Sequence, residues 1–128
     1  MYDAFLRVMS QLSSKRKARI EIDDNAIFFE TLKNENCMRI STTIYRGEGF
    51  ISPSVRSCVP SNGILHLQSS GAYLQLDLEA HAVHLIEEVD MEKGKYIPFK
   101  HHFSDFCQIA AEWREILQDF AERDYSFI

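Results

Sequence analysis

The chain has 128 residues, 45% of them hydrophobic and 26% charged, a balance that excludes a disordered or low-complexity protein and gives one domain length enough to bury roughly two-thirds of its unfolded surface. Its net charge of −5 is unevenly placed: residues 1–60 hold nine Lys and Arg against seven Asp and Glu, whereas residues 61–128 hold five against twelve. An acidic half of this kind repels phosphate backbones and anionic lipid, which disfavours nucleic acids and membranes as partners.

Tyr2, Phe5, Leu6, Val8, Met9 and Leu12 recur at helical spacing, with Asp3 near the start and Ser13-Ser14-Lys15-Arg16-Lys17 at the end. The spacing predicts an amphipathic helix over 2–14, whose closing basic run solvates its end and complements its dipole. The acid and the apolar residues precede the basic ones, opposite to a signal peptide, and no apolar run approaches the ~20 residues of a membrane span. Cys37, Cys58 and Cys107 are odd in number without paired spacing, as expected of reduced thiols, so a cytoplasmic protein without membrane insertion is expected.

Arg19-Ile20-Glu21-Ile22-Asp23 alternates strictly, Asp24-Asn25 is turn-forming, and Ala26 to Leu32 is rich in β-branched and aromatic residues. That pattern predicts a hairpin. After the polar Lys33-Asn34-Glu35-Asn36, a third strand is expected where Met38, Ile40, Thr42 and Ile44 alternate with polar neighbours. Gly47, Gly49, Pro53, Pro60 and Gly63 interrupt any long helix, so residues 47–63 read as irregular with strand pieces at Phe50-Ile51 and Val55. Ile64 to Gln68, Tyr73 to Leu78 and Ala82 to Val89 give three more strands, with connections too short for crossover helices, hence an antiparallel sheet.

The last thirty residues hold the strongest pattern. Phe99, Phe103, Phe106, Ala110, Trp113, Leu117 and Phe120 step by four and three, one apolar stripe on a helix running from Pro98 to about Arg123. Its expected role is to cover the sheet, with Trp113 near the middle of the contact. The fold class is therefore α+β: an N-terminal amphipathic helix, an antiparallel sheet of five to seven strands, and a long C-terminal helix packed on it.

No residue pattern signals catalysis. His101-His102 diverge on a helix, His81 and His84 are three apart on a turn and strand, and His66 is isolated, so no histidine pair chelates a metal well. Nothing places a base beside the thiols, Glu87-Glu88 point apart on a strand, and no glycine-rich loop is closed by a Lys-Ser or Lys-Thr pair. No enzyme activity, metal or cofactor is expected. What remains is apolar excess: Ile27, Phe28 and Phe29 are consecutive in one strand, so at least one large side chain must face away from the others.

The order helix, three-stranded meander, irregular middle, further strands and acidic C-terminal helix resembles the class I chaperones of type III secretion, also called the Tir-chaperone family. The stretch that carries the likeness runs from Ala72-Tyr73-Leu74-Gln75-Leu76-Asp77 through Ala82-Val83-His84-Leu85-Ile86 to Phe99 and the helix Phe103 to Phe120. The resemblance implies a non-catalytic protein that holds an extended segment of a secreted effector in an export-ready state, as a homodimer or a heterodimer with a related chaperone. Binding would then combine strand addition with apolar pockets, assigned to Phe5, Met9, Ile27, Phe28, Phe29 and Ile40. One departure stands out: the family has a helix between its third and fourth strands that helps build the dimer, and residues 47–63 do not read as that helix. A second resemblance, to pleckstrin-homology-like modules, rests on Trp113 after Glu112 and on Ile116-Leu117, and implies a strand-rich sandwich with a capping helix and a peptide-binding role.

Overall fold

The computed structural model describes residues 7–8, 10–12, 15–32, 37–67, 71–90 and 96–125, with the backbone alone for 96–99. Arg7, Val8, Ser10, Gln11, Leu12 and Lys15 are helical, as the N-terminal spacing predicts, and the buried Val8 joins the core with Leu12 packed beside it.

Six strands follow, β1 (Lys17–Ile22), β2 (Asn25–Thr31), β3 (Cys37–Arg46), β4 (Ile64–His66), β5 (Ala72–Asp77) and β6 (Ala82–Asp90). They form a single sheet in the order β1-β2-β3-β6-β5-β4, every neighbouring pair antiparallel. All six therefore share one layer, and the capped sandwich of the second resemblance is not the observed architecture.

The first turn sits one residue earlier than expected. Asp23 and Asp24 make it, with φ of 52° and 65°, while Asn25 belongs to β2 opposite Ile22. A two-residue hairpin loop that matches strand twist needs positive φ at both positions, which Asp tolerates better than most side chains. Asn25 closes the turn by donating from Nδ2 to Asp23 O at 2.9 Å.

Residues 47–63 also depart from expectation. They contain a helix, α1 (Pro53–Ser57), rather than the anticipated strand pieces, and Val55 is fully buried within it. Proline suits a first helical position, where no amide partner is needed. The unsatisfied donors at this end are met from far away: Asp124 accepts from Ser54 N–H at 2.9 Å and from the hydroxyls of Ser52 and Ser54. Those hydrogen bonds hold the Asp124 carboxyl below the usual range. Before α1 the chain folds back so tightly that a Cβ on Gly47 would lie 1.8 Å from Phe50 O. Only glycine fits there.

The long helix α2 (Tyr96–Tyr125) lies on one face of the sheet. Phe103, Phe106, Ala110, Leu117 and Ala121 are buried there against Ile20, Ile27, Phe29, Ile40, Leu74 and Leu85. The Phe29 and Phe103 rings meet at 5.6 Å. Trp113 is half-buried and packs against this core, and its neighbour Arg114, equally half-buried, also reaches the sheet. The Phe99 side chain, which begins the predicted stripe, lies outside the described residues.

Candidate functional site

Strand alternation sends every second side chain to the face that α2 does not cover. The register lines up one residue from each strand across that face: Arg19, Phe28, Ser41, Ile86, Tyr73 and His66 are successive partners. Phe28 is 46% exposed, and the Arg19 guanidinium lies 5.8 Å from its ring centre. Ile86, within this row, is buried without belonging to the core on the other face. A second row, Lys17, Glu30, Arg39 and Glu88, alternates in sign, and Arg39 bonds Glu88 at 3.1 Å.

The sequence-selected residues separate accordingly. Ile27, Phe29 and Ile40 lie in the core with 4%, 2% and 0% exposure, while Phe28 stands on the open face. Phe5 and Met9 fall outside the described residues. The three consecutive residues Ile27, Phe28 and Phe29 do split between the faces, as alternation requires.

β1 forms one margin of the sheet. In this hairpin the pairs Ile22–Asn25, Ile20–Ile27 and Ala18–Phe29 are the hydrogen-bonded ones, as the two-residue turn dictates, so the amides and carbonyls of Lys17, Arg19 and Glu21 face outward. Arg19 N–H donates to Gln11 Oε1 at 3.4 Å, a long contact from the N-terminal helical segment. Such a row of backbone groups is a template for a further strand.

The histidines and acids take defined partners. His84 lies between Thr43 Oγ1 at Nδ1 and Asp77 Oδ2 at Nε2, each 3.0 Å away. Asp77 also accepts from Ala80 N–H at 3.1 Å, and its bond with His84 and this backbone contact hold its carboxyl below the usual range. The relay ties β3, β6 and the β5–β6 turn together. Glu87 and Glu88 point apart as expected. Glu87 is buried under α2 and meets His102 Nδ1 at 3.2 Å, with its carboxyl pushed up by burial and, less, by Asp105. Burial raises the thiols of Cys37, Cys58 and Cys107, keeping them protonated at neutral pH.

Sequence reasoning missed Arg114. Its position, four after Ala110 and three before Leu117, already places it on the buried line of α2, and that periodicity was the available signal. Its Nη2 donates to Thr42 Oγ1 at 2.8 Å and Thr43 O at 3.2 Å.

No protein-family model matches the chain, and no curated protein matches it. A solved structure does. The chain has the fold of a chain in the HopA1–SchA chaperone–effector complex, with a TM-score of 0.60 at 16% identity over 89% of this chain and 93% of that one. Among the described residues, no helix is long and apolar enough to cross a membrane.

Proposed function

We propose that this protein is a secretion chaperone that holds an extended segment of a type III effector in an export-ready state. The observation that carries the reading is the fold shared with a chain of a chaperone–effector complex. The outward backbone of Lys17, Arg19 and Glu21 supports it, because main-chain pairing accepts many sequences and leaves selectivity to side chains. Phe28 stands beside that margin as an apolar contact, with Ile27, Phe29 and Ile40 supporting the strand from behind. Phe5 and Met9, assigned from the sequence spacing alone, complete the proposed surface. The protein acts as a dimer in this reading, through α1, which stands where the family places its interface helix.

The test is co-purification from the native host, comparing the wild type with Arg19→Pro. Proline removes the outward amide, and with it only the long contact to Gln11, without touching the ladder to β2, so the fold survives while strand addition is blocked. We expect the wild type to carry a protease-protected segment of a larger protein and the variant to lose at least tenfold of it. A wild type that carries no such segment would sink the chaperone reading, and a variant that keeps it would sink the strand-addition mode. Light scattering should give a mass near twice 14.9 kDa.

A further inference from the structure

Arg114 is half-buried on the sheet-facing side of a helix whose neighbours there, Ala110 and Leu117, are apolar, yet among the described residues it has no carboxylate partner. Its Nη2 is engaged by Thr42 and Thr43, while Nε is buried without a hydrogen-bond partner. A guanidinium N–H shielded from solvent is costly unless something accepts from it, and the rest of this half-buried side chain reaches the surface.

The same residue lines a groove of about 640 Å³ between α2 and the β1–β2 hairpin. Ile22, Ile27 and Ala110 give it an apolar floor. Asp23 from the turn and Glu115, Asp119 and Glu122 from α2 surround its mouth, and all four are exposed. That volume falls within the range of pockets that take ligands. Four carboxylates around one opening repel an anionic occupant and favour a cationic one, while the floor selects apolar side chains.

We propose that this groove binds a cationic amphipathic segment of a partner protein. Its apolar side chains lie on Ile22, Ile27 and Ala110, the carbonyl oxygens that its last helical turn leaves free accept from Arg114, and its Lys or Arg side chains face Asp23, Glu115, Asp119 and Glu122. The proposal rests on the chaperone reading for the partner's nature, but it names a second surface, on the opposite side of the sheet from Phe28.

The probe is a synthetic peptide of Leu and Lys at helical spacing, with a counterpart carrying Glu for Lys, titrated into the full chain while amide shifts are followed by NMR. Shifts are expected at Asn25 and Ala111 on the groove and not at Leu65 on β4. The triple variant Glu115→Gln, Asp119→Asn, Glu122→Gln should weaken the Lys peptide at least tenfold. A control of equal charge change, Glu48→Gln, Glu79→Gln, Asp90→Asn, should leave it within twofold, which separates the groove from general attraction to an acidic protein. Arg114→Met should weaken binding severalfold; should that variant fail to fold, the exposed triple variant still decides. Equal binding of the Glu peptide, an unchanged triple variant, an equal loss in the control, or shifts at β4 would each overturn the proposal. Loss of cargo in Arg19→Pro concerns the other surface and leaves this one standing.

Discussion

The two faces of the sheet are built from the same strands by opposite rules. Under α2, aliphatic and aromatic side chains interlock, and Phe106, Ile40, Leu74, Leu85 and Leu117 reach zero exposure. On the other face, charges of alternating sign flank a row that runs from Arg19 and Phe28 to Tyr73 and His66. Close packing is concentrated on the first face, while the second keeps large side chains such as Phe28 in contact with solvent.

The sharpest way to break this contrast is to truncate one phenylalanine on each side. Phe106→Ala should cost about 3–5 kcal/mol, because the deletion leaves a cavity that close packing cannot refill. Phe28→Ala should cost under about 1 kcal/mol, since its exposed ring loses a cation–π contact and little burial. Urea midpoints measure both, and equal losses would show that the open face is part of the core.

Two adjacent acids sharpen the comparison on a smaller scale. Glu88→Gln should cost about 0.2–1 kcal/mol, the worth of an exposed cross-strand ion pair, and less in high salt. Glu87→Gln should raise stability at neutral pH. Its folded-state carboxyl binds a proton more tightly than in the unfolded chain, so wild-type stability falls as pH rises from about 4.5 through the raised value. The gain from Glu87→Gln should therefore be full at pH 7.5 and vanish below about 4.5, while His102 can still donate to the amide oxygen. Urea midpoints across that range check the sign, and a loss at pH 7.5 would reverse it.

The contrast also explains what the sequence disclosed. Period-two alternation in β1, β2 and β3 and the four-three stepping of α2 are local signals, and they placed these four elements and the two-faced character of Ile27-Phe28-Phe29. Strand order was not legible, because the return of β6 to lie beside β3 is a long-range pairing with no short-range mark. Trp113 packs against the core as the stripe implies, whereas the contact of Arg114 with Thr42 and Thr43 had no apolar side chain to signal it. The short α1 was hidden because five residues are too few for periodicity and its capping group lies seventy positions beyond Ser54. For the candidate surfaces, residue types suggested an apolar excess but could not say that Ile27, Phe29 and Ile40 spend theirs inside.

Asp124 sets an order of assembly. A chain emerging from the ribosome makes α1 long before the residue that closes its first turn, so this segment has to wait for the last turn of α2. A chain stopped ahead of Asp124 would retain most of the sheet-covering stripe yet lack the group that anchors Ser52 and Ser54. The segment proposed to meet a second subunit thus takes its final form only once the last turn of α2 exists, which couples readiness for assembly to the helix that covers the sheet.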